Sequence, residues 1–259
     1  MAEYKVNDGD LIDLSKENLD GETLACIVRT RTKHPGVETK RAWLRARLEE
    51  GHVFRKLAGN GCAFLEYAPV ETAWVPVEGE GYLYLYCLWV AGDAKGHGVG
   101  ARLMESLIDD AKKQGKAGVC MLSSERQMAW LSDRRFAERY GFVPADTAAD
   151  GYVLLALSLD GSLPRFTPSA KAGRIPDREL TVYYDDQCPF LPARVEKLRT
   201  YCTEKGIPAH FIHVTSKEQA KALPSVFNNW AVFFGGRLVT VNQIDGAALE
   251  KILRRTAGS

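Results

Sequence analysis

No uncharged hydrophobic run in the 259 residues is long enough to cross a bilayer. The opening Met1-Ala2-Glu3-Tyr4-Lys5 lacks the layout of a secretory leader. A cytoplasmic protein with no membrane partner is therefore expected. Net charge is also nearly absent. The 34 basic and 33 acidic side chains leave +1, too little for a general electrostatic grip on nucleic acid. The six cysteines, Cys26, Cys62, Cys87, Cys120, Cys188 and Cys202, form no C-x-x-C pair. Four of them sit inside apolar strand or helix patterns, so thiols in a reducing compartment are expected, with neither a disulfide scaffold nor a metal site. The dinucleotide fingerprint G-x-G-x-x-G and the P-loop G-x-x-x-x-G-K-[ST] are both missing. What remains is a chain that is 46 % hydrophobic, enough for real cores, and of a length that suits two modest domains.

The stretch from Gly81 to Gly115 organises the first of them. Tyr82 to Val90 is aromatic and aliphatic without a charge and reads as a buried strand, Tyr82, Tyr84 and Tyr86 sharing one face. Ala91 to Ala94 is a turn, followed by Lys95-Gly96-His97-Gly98-Val99-Gly100. Val99, Leu103, Leu107 and Ala111 then recur every four residues, the apolar face of a helix that Gly115 ends after Lys112 and Lys113. Strand, glycine turn and helix in that order make an anion cradle. The glycines let backbone N–H groups converge, and the helix start adds unpaired N–H groups and the positive end of its dipole.

Before this unit, Leu11–Leu14 suggests a strand, Asp20 opens a helix through Leu24, Ile27 and Val28, and residues 37–50 read as a second helix. Strands are expected over 53–57, 62–67 and 73–77. After it come a strand over 116–122, a helix over 127–140 with Trp130, Leu131 and Phe136 inward, and a strand over 152–159. Residues 160–178 carry Pro164, Pro168 and Pro176 without periodicity and read as a linker. The chain restarts as strand 180–184, helix 189–205, strand 210–214, helix 216–223, a hairpin about Gly235-Gly236 and a helix over 246–255.

Lys95 to Gly100 fits the pattern [basic or Gln]-x-x-G-x-[G/A] and resembles the pyrophosphate loop of the GNAT N-acetyltransferases. Glu66-Tyr67, Ala73 to Pro76, Trp89-Val90, Ser132-Asp133, Asp146 to Ala148, Tyr183-Tyr184 and Gln187 to Phe190 extend the likeness to GNAT proteins that carry a YoaP-like C-terminal domain. The resemblance implies an α/β protein: a GNAT acyl-CoA acyltransferase fold with a mixed central sheet over residues 1–161, a linker over 162–178 and a smaller thioredoxin-like α/β domain over 179–259. It implies acetyl transfer from acetyl-CoA to an amine of a small molecule or peptide. Leu88, Trp89, Val90, Lys95, Gly96, His97, Gly98, Val99, Gly100 and Ala101 would hold the acetyl-CoA, and a backbone N–H near Leu88 to Val90 would receive the carbonyl oxygen as it gains charge.

For the proton acceptor the candidate is Glu66, in the apolar strand Ala63 to Tyr67, where an unpaired carboxylate is costly. A structural ion pair is the other reading of that residue, and Glu71 is an alternative base. The family's tyrosine acid falls on Ala137 here, leaving Tyr140 and Ser132 as candidate donors, and Trp130 stands near the family's usual Asn. Cys188, where a thioredoxin fold carries its active thiol, is a possible thiol site, although Leu191 takes the partner position and Pro189 is read as the first helical residue. A non-catalytic acyl-CoA sensor and a monothiol protein centred on Cys188 stay open beside the enzyme. Acceptor, acyl length and oligomeric state are not legible.

Overall fold

The computed structural model describes residues 10–24, 34–59, 62–126, 128 and 131–257. They fall into two compact units: the described residues of Met1–His34, Arg41–Ala73 and Val77–Arg165, and those of Pro35–Lys40, Trp74–Pro76 and Phe166–Ser259. In chain order the first part of the protein forms β1 (Leu11–Asp13), α1 (Gly36–Leu48), β2 (Val53–Leu57), β3 (Ala63–Pro69), β4 (Val77–Glu78), β5 (Tyr82–Val90), α2 (Val99–Lys113), β6 (Gly118–Ser124), α3 (Arg134–Glu138), β7 (Val143–Thr147) and β8 (Tyr152–Ser158).

Seven of these strands form one sheet in the order β1-β2-β3-β5-β6-β8-β7. Only β5 and β6 run parallel; the other neighbours are antiparallel, so the sheet is mixed. A parallel neighbour needs a crossover, and α2 supplies it. Its stripe of Val99, Leu103, Met104, Leu107, Ile108 and Ala111 packs with Leu65, Tyr67, Leu83, Leu85, Val119 and Met121 of the sheet. Each fully buried leucine there stabilises the unit by about 1.5–3 kcal/mol relative to exposure. Polar bonds also tie α2 to the sheet. Arg55 forms a fork with Asp13 at 2.6 and 2.8 Å and reaches Asp110 at 2.7 Å, and the Tyr67 hydroxyl donates to Asp110 at 2.6 Å.

Several expected elements differ. The helix expected over 127–140 is confined to Arg134–Glu138 because Asp133 caps it, its carboxylate accepting from the Arg135 N–H at 2.8 Å. Leu131, Ser132 and Asp133 are not helical, and residues 127, 129 and 130 lie outside the described residues. Of the helix expected after Asp20 through Leu24, Ile27 and Val28, residues 21–24 are turn, bend and coil, not helix, and residues 25–33 lie outside the described residues. The extended piece over 73–77 shrinks to Val77–Glu78. The strand β7 was not expected at all.

The rest of the chain forms β9 (Arg165–Phe166), α4 (Pro168–Ala172), β10 (Leu180–Tyr184), α5 (Leu191–Lys205), β11 (Ala209–His213), α6 (Lys217–Lys221), β12 (Trp230–Phe234), β13 (Arg237–Thr240) and α7 (Gly246–Ala257). The stretch read as a linker thus carries a short strand and a one-turn helix capped by Thr167. Four strands form a sheet in the order β11-β10-β12-β13, with β10 and β11 parallel and the other pairs antiparallel. Leu180, Val182, Trp230 and Val232 pack with Leu191, Val195 and Leu198 of α5 and Leu249 of α7. α5 begins at Leu191 and not at Pro189, because Pro189 and Phe190 form a turn whose Leu191 N–H bonds to the Cys188 carbonyl at 3.1 Å.

One carboxyl in this unit makes its stability depend on pH. Asp185 is fully buried, and desolvation pushes its pKa up to about 6, against hydrogen bonds from Asn228 and the Gln187 N–H and the charge of Lys40. A carboxyl whose folded pKa is raised binds more protons folded than unfolded between the two values. Its contribution to stability therefore falls as pH rises from about 4 to about 6, by about 3 kcal/mol for a shift of this size. Asp185→Asn is expected to match the parent near pH 4 and to exceed it at pH 7. Hydrogen-exchange protection of β10 and β12 amides reads this out, and equal pH slopes for the two proteins would contradict it.

Candidate active site

Two neighbouring features of the first unit fit the cradle expected from the sequence. The first is the turn before α2. Gly96 and Gly98 have φ of 80° and 75°, a region that glycine enters without strain. A Cβ at either would meet nothing within 4 Å, so the turn faces open space. Lys95 to Gly98 are exposed. Gly98 is the N-cap of α2 and offers no side-chain acceptor, and no acidic residue stands in the first turn. The N–H groups of Val99, Gly100 and Ala101 head a 15-residue helix whose positive end no protein carboxylate neutralises from that turn. His97 is exposed at the rim.

The second feature is a split between two strands. The parallel ladder of β5 and β6 runs from Tyr82↔Gly118 to Leu85↔Met121 and stops. β5 continues to Val90 on β3, and β6 continues to Ser124 on β8. From Tyr86 and Leu122 onward, each strand thus keeps its outer neighbour and leaves the other. The cause lies in β5, whose register slips by one residue: Glu66 pairs with Cys87 but Tyr67 pairs with Leu85, so Tyr86 is the bulged residue. Beyond the bulge Leu88 and Val90 turn toward the head of α2, within 3.9 and 3.5 Å of a Cβ built on Gly100. Trp89, between them, is exposed at 41 % and pairs with Phe64. Of the expected acetyl-CoA set, Leu88, Trp89 and Val90 lie on this strand end, Lys95 to Gly98 on this turn, and Val99, Gly100 and Ala101 in the first turn of α2.

The expected base is on the same strand pair. Glu66 is 1 % exposed and His52 is 4 % exposed, and His52 Nε2 lies 2.8 Å from Glu66 Oε1. Aromatic rings surround them. His52 stands edge-on to Trp43 at 5.2 Å and tilted to Tyr86 at 5.1 Å, and Tyr86 meets Tyr84 edge-on at 5.1 Å. Burial pushes the Tyr84 phenol well above its ordinary value, and its hydroxyl is hydrogen-bonded to the backbone of Leu122, where β6 leaves β5. His52 is a residue that the sequence reading missed. Glu71, the alternative base, is exposed and accepts the Gly81 N–H at 2.6 Å, which makes it a turn staple.

Of the candidate donors, Tyr140 leans on Phe136 at 5.3 Å, and its pKa is raised by partial burial and by Glu105, against Arg139. The Phe136 ring comes within 3.8 Å of a Cβ built on Gly100, so this pair sits beside the cradle. Ser132 lies just ahead of the Asp133 cap, outside the helix. Ala137 is fully buried.

Cys62, Cys87, Cys120, Cys188 and Cys202 are thiols and not disulfides; Cys26 lies outside the described residues. Cys120 is buried, as expected of a core residue, whereas the bulge leaves Cys87 partly exposed opposite Glu66. Cys188 is partly exposed in the turn before α5. Asp185 and Gln187 fix that turn by bonds to Asn228 at 3.0 Å and Asn229 at 2.8 Å. Among the described residues, metal-type ligands converge at Asp177, Glu179 and His210. His210 there lies 3.4 Å from Asp177 and 2.9 Å from Glu179, an arrangement that an exposed ion pair makes without a metal.

Residues 23–142 match the family model described as "Acetyltransferase (GNAT) family", and residues 208–251 match the one described as "YoaP-like". The chain is 35 % identical over 248 residues to the uncharacterized N-acetyltransferase YoaP of Bacillus subtilis (strain 168), covering 95 % of this chain and 99 % of that protein. Among solved structures it is similar to YncA of Salmonella typhimurium, described as a putative acetyltransferase with its cofactor acetyl-CoA. That likeness has 20 % identity and a TM-score of 0.41, and covers 60 % of this chain and 96 % of the other. It is also similar to the ribosomal-protein-S18-alanine N-acetyltransferase of Escherichia coli, at 19 % identity and a TM-score of 0.41 over 60 % and 96 % of the two chains.

Proposed function

This chain belongs to the GNAT acetyltransferase family, and from that premise we propose that it moves the acetyl group of acetyl-CoA to an amine by direct attack. The observation that carries the proposal is the open, uncapped head of α2 lying next in the chain to a strand end that has left its parallel neighbour.

Lys95 to Ala101 receive the pyrophosphate. The glycines bring backbone N–H groups to it, and Lys95 adds a charge. The edge of β5 from Tyr86 to Val90 runs along the pantetheine as a missing strand would, and an N–H near Leu88 to Val90 faces the carbonyl oxygen. Holding both reactants in one cleft supplies much of the rate. Glu66 takes the proton of the amine. The nitrogen forms its bond to the carbonyl carbon, the C–S bond breaks, and the thiolate leaves. A thiol titrates near 8.5 or so, so this thiolate leaves readily, and Tyr140 beside the cradle is the candidate donor to it, ahead of Ser132.

We also propose that residues 1–161 are the catalytic domain and 179–259 a thioredoxin-like one, joined through 162–178. The strand order β11-β10-β12-β13, with its single parallel pair, supports the second assignment. The thiols support a reducing, cytoplasmic setting. The direct test of the donor is calorimetric titration of the full chain with acetyl-CoA. Binding of one molecule per chain, competed by CoA, is expected; no heat at millimolar acetyl-CoA would remove the cradle.

A further inference from the structure

We propose that His52 and Glu66 act as one proton-accepting unit, and that the aromatic wall around them selects a slender, cationic amine as the acceptor. This deepens the acetyl-transfer reading and rests on it. A buried His–carboxylate pair contributes little net stability compared with apolar packing of the same volume, so stability alone gives it no purpose in an aromatic shell. Its position does. Tyr86 is at once the bulged residue where β5 leaves β6 and the ring 5.1 Å from His52. It is also the partly exposed member of the wall, for Trp43, Tyr84, His52 and Glu66 are each at least nine-tenths buried.

An ammonium reaching the split from the Tyr86 side meets an aromatic face that attracts cations. Behind that face it meets a carboxylate held by an imidazole. The ammonium gives one proton to the pair, and the neutral nitrogen attacks the thioester carbonyl carbon. As the C–N bond forms and the C–S bond breaks, Tyr140 gives its proton to the departing thiolate and regains one from the nitrogen, and the pair releases its proton to water. His52 is a positioning residue: it touches Glu66, orients it, and shares its proton. Among the described residues, Cys87 stands opposite Glu66 and the phenols of Tyr86 and Tyr84 line the pair, while Arg47 lies across Trp43, its guanidinium 5.9 Å from that ring and 2.9 Å from Glu50. We expect rings set this closely, Trp43 and Tyr86 standing 5.2 and 5.1 Å from His52, to admit an unbranched aliphatic amine before a branched or planar one.

The test uses the full chain, saturating acetyl-CoA, and two probes: cadaverine, a straight cationic diamine, and 4-methoxyaniline, a neutral planar amine. Released thiol is followed from pH 6 to pH 9 or so. We expect kcat/KM for cadaverine to exceed that for the aniline at least tenfold or so, as a cation–π contact and a buried anion require. His52→Gln should lower kcat about tenfold or more and displace the acidic limb of the pH profile, leaving KM for acetyl-CoA unchanged. Tyr86→Leu should raise KM for cadaverine about tenfold, and Tyr86→Phe should restore it. If His52→Gln melts early, the Tyr86 pair decides. Preference for the aniline, no turnover of cadaverine by a chain that binds acetyl-CoA, an unmoved pH profile, or equal behaviour of the two Tyr86 variants overturns the proposal. Absence of acetyl-CoA binding marks a different failure, that of the acetyl-transfer reading itself.

Discussion

Glu66→Gln is expected to lower kcat by about 10²- to 10⁴-fold, the usual worth of a positioned general base, while acetyl-CoA affinity stays within about twofold. The substitution is nearly isosteric. A glutamine keeps an oxygen at the place of Oε1 to accept from His52 at 2.8 Å, and the surrounding rings keep their packing. What it removes is the capacity to hold a proton from the amine. The two contributions separate kinetically: a group that acts only in the transition state moves kcat and kcat/KM together, whereas one that binds donor moves the KM for acetyl-CoA. The acidic limb of the pH–rate profile should vanish with it. A variant that turns over like the parent across the pH range would assign Glu66 to structure.

Gly100→Glu is expected to weaken acetyl-CoA binding at least a hundredfold or so without unfolding the chain. A Cβ at Gly100 finds only ordinary contacts, 3.5 Å from Val90, 3.8 Å from Phe136 and 3.9 Å from Leu88. The position is helical, and an acidic side chain in the first turn of α2 interacts favourably with the helix dipole, by roughly 0.3–1 kcal/mol. The variant should therefore melt at or slightly above the parent's temperature. Its carboxylate occupies the space and satisfies the charge that the pyrophosphate needs. Stability and binding move in opposite directions, a combination that a merely damaged fold does not produce. Gly98→Ala is the converse control. Nothing crowds that Cβ, but a φ of 75° strains any side chain, so a small loss of stability with partial binding is expected. Unchanged calorimetric affinity in Gly100→Glu would take the turn out of the site.

What could be read from the sequence was local. The run Tyr82 to Val90, the glycines of 96–100 and the four-residue spacing from Val99 to Ala111 each declare themselves within one element, and strand, turn and α2 stand there. The second sheet was legible for the same reason. Errors came where a local signal pointed the wrong way. Pro144 and Asp146 hide β7, an edge strand that tolerates both. Apolar spacing at Leu131 and Phe136 suggested a long helix, but Asp133 supplied a stronger start signal and a shorter helix won. His52 left no local trace. It stands between α1 and β2, and its partner is 14 residues away. The only cue was the hairpin itself, since a histidine just ahead of β2 comes near Glu66 once Phe54 pairs with it. The bulge at Tyr86, which opens the strand split, cannot be read from a run of aromatics.

On the proposed function, the cleft at the end of β5 carries an acetyl group from thioester to amine. Acetyl-CoA labelled in the acetyl carbonyl carbon, incubated with the full chain and cadaverine, tests it most directly, by mass spectrometry of the amine beside a thiol assay. Labelled N-acetylcadaverine should accumulate in step with released CoA, and neither should form with Gly100→Glu. Acetyl-CoA that binds and stays intact while a panel of aliphatic amines remains unlabelled would contradict the claim.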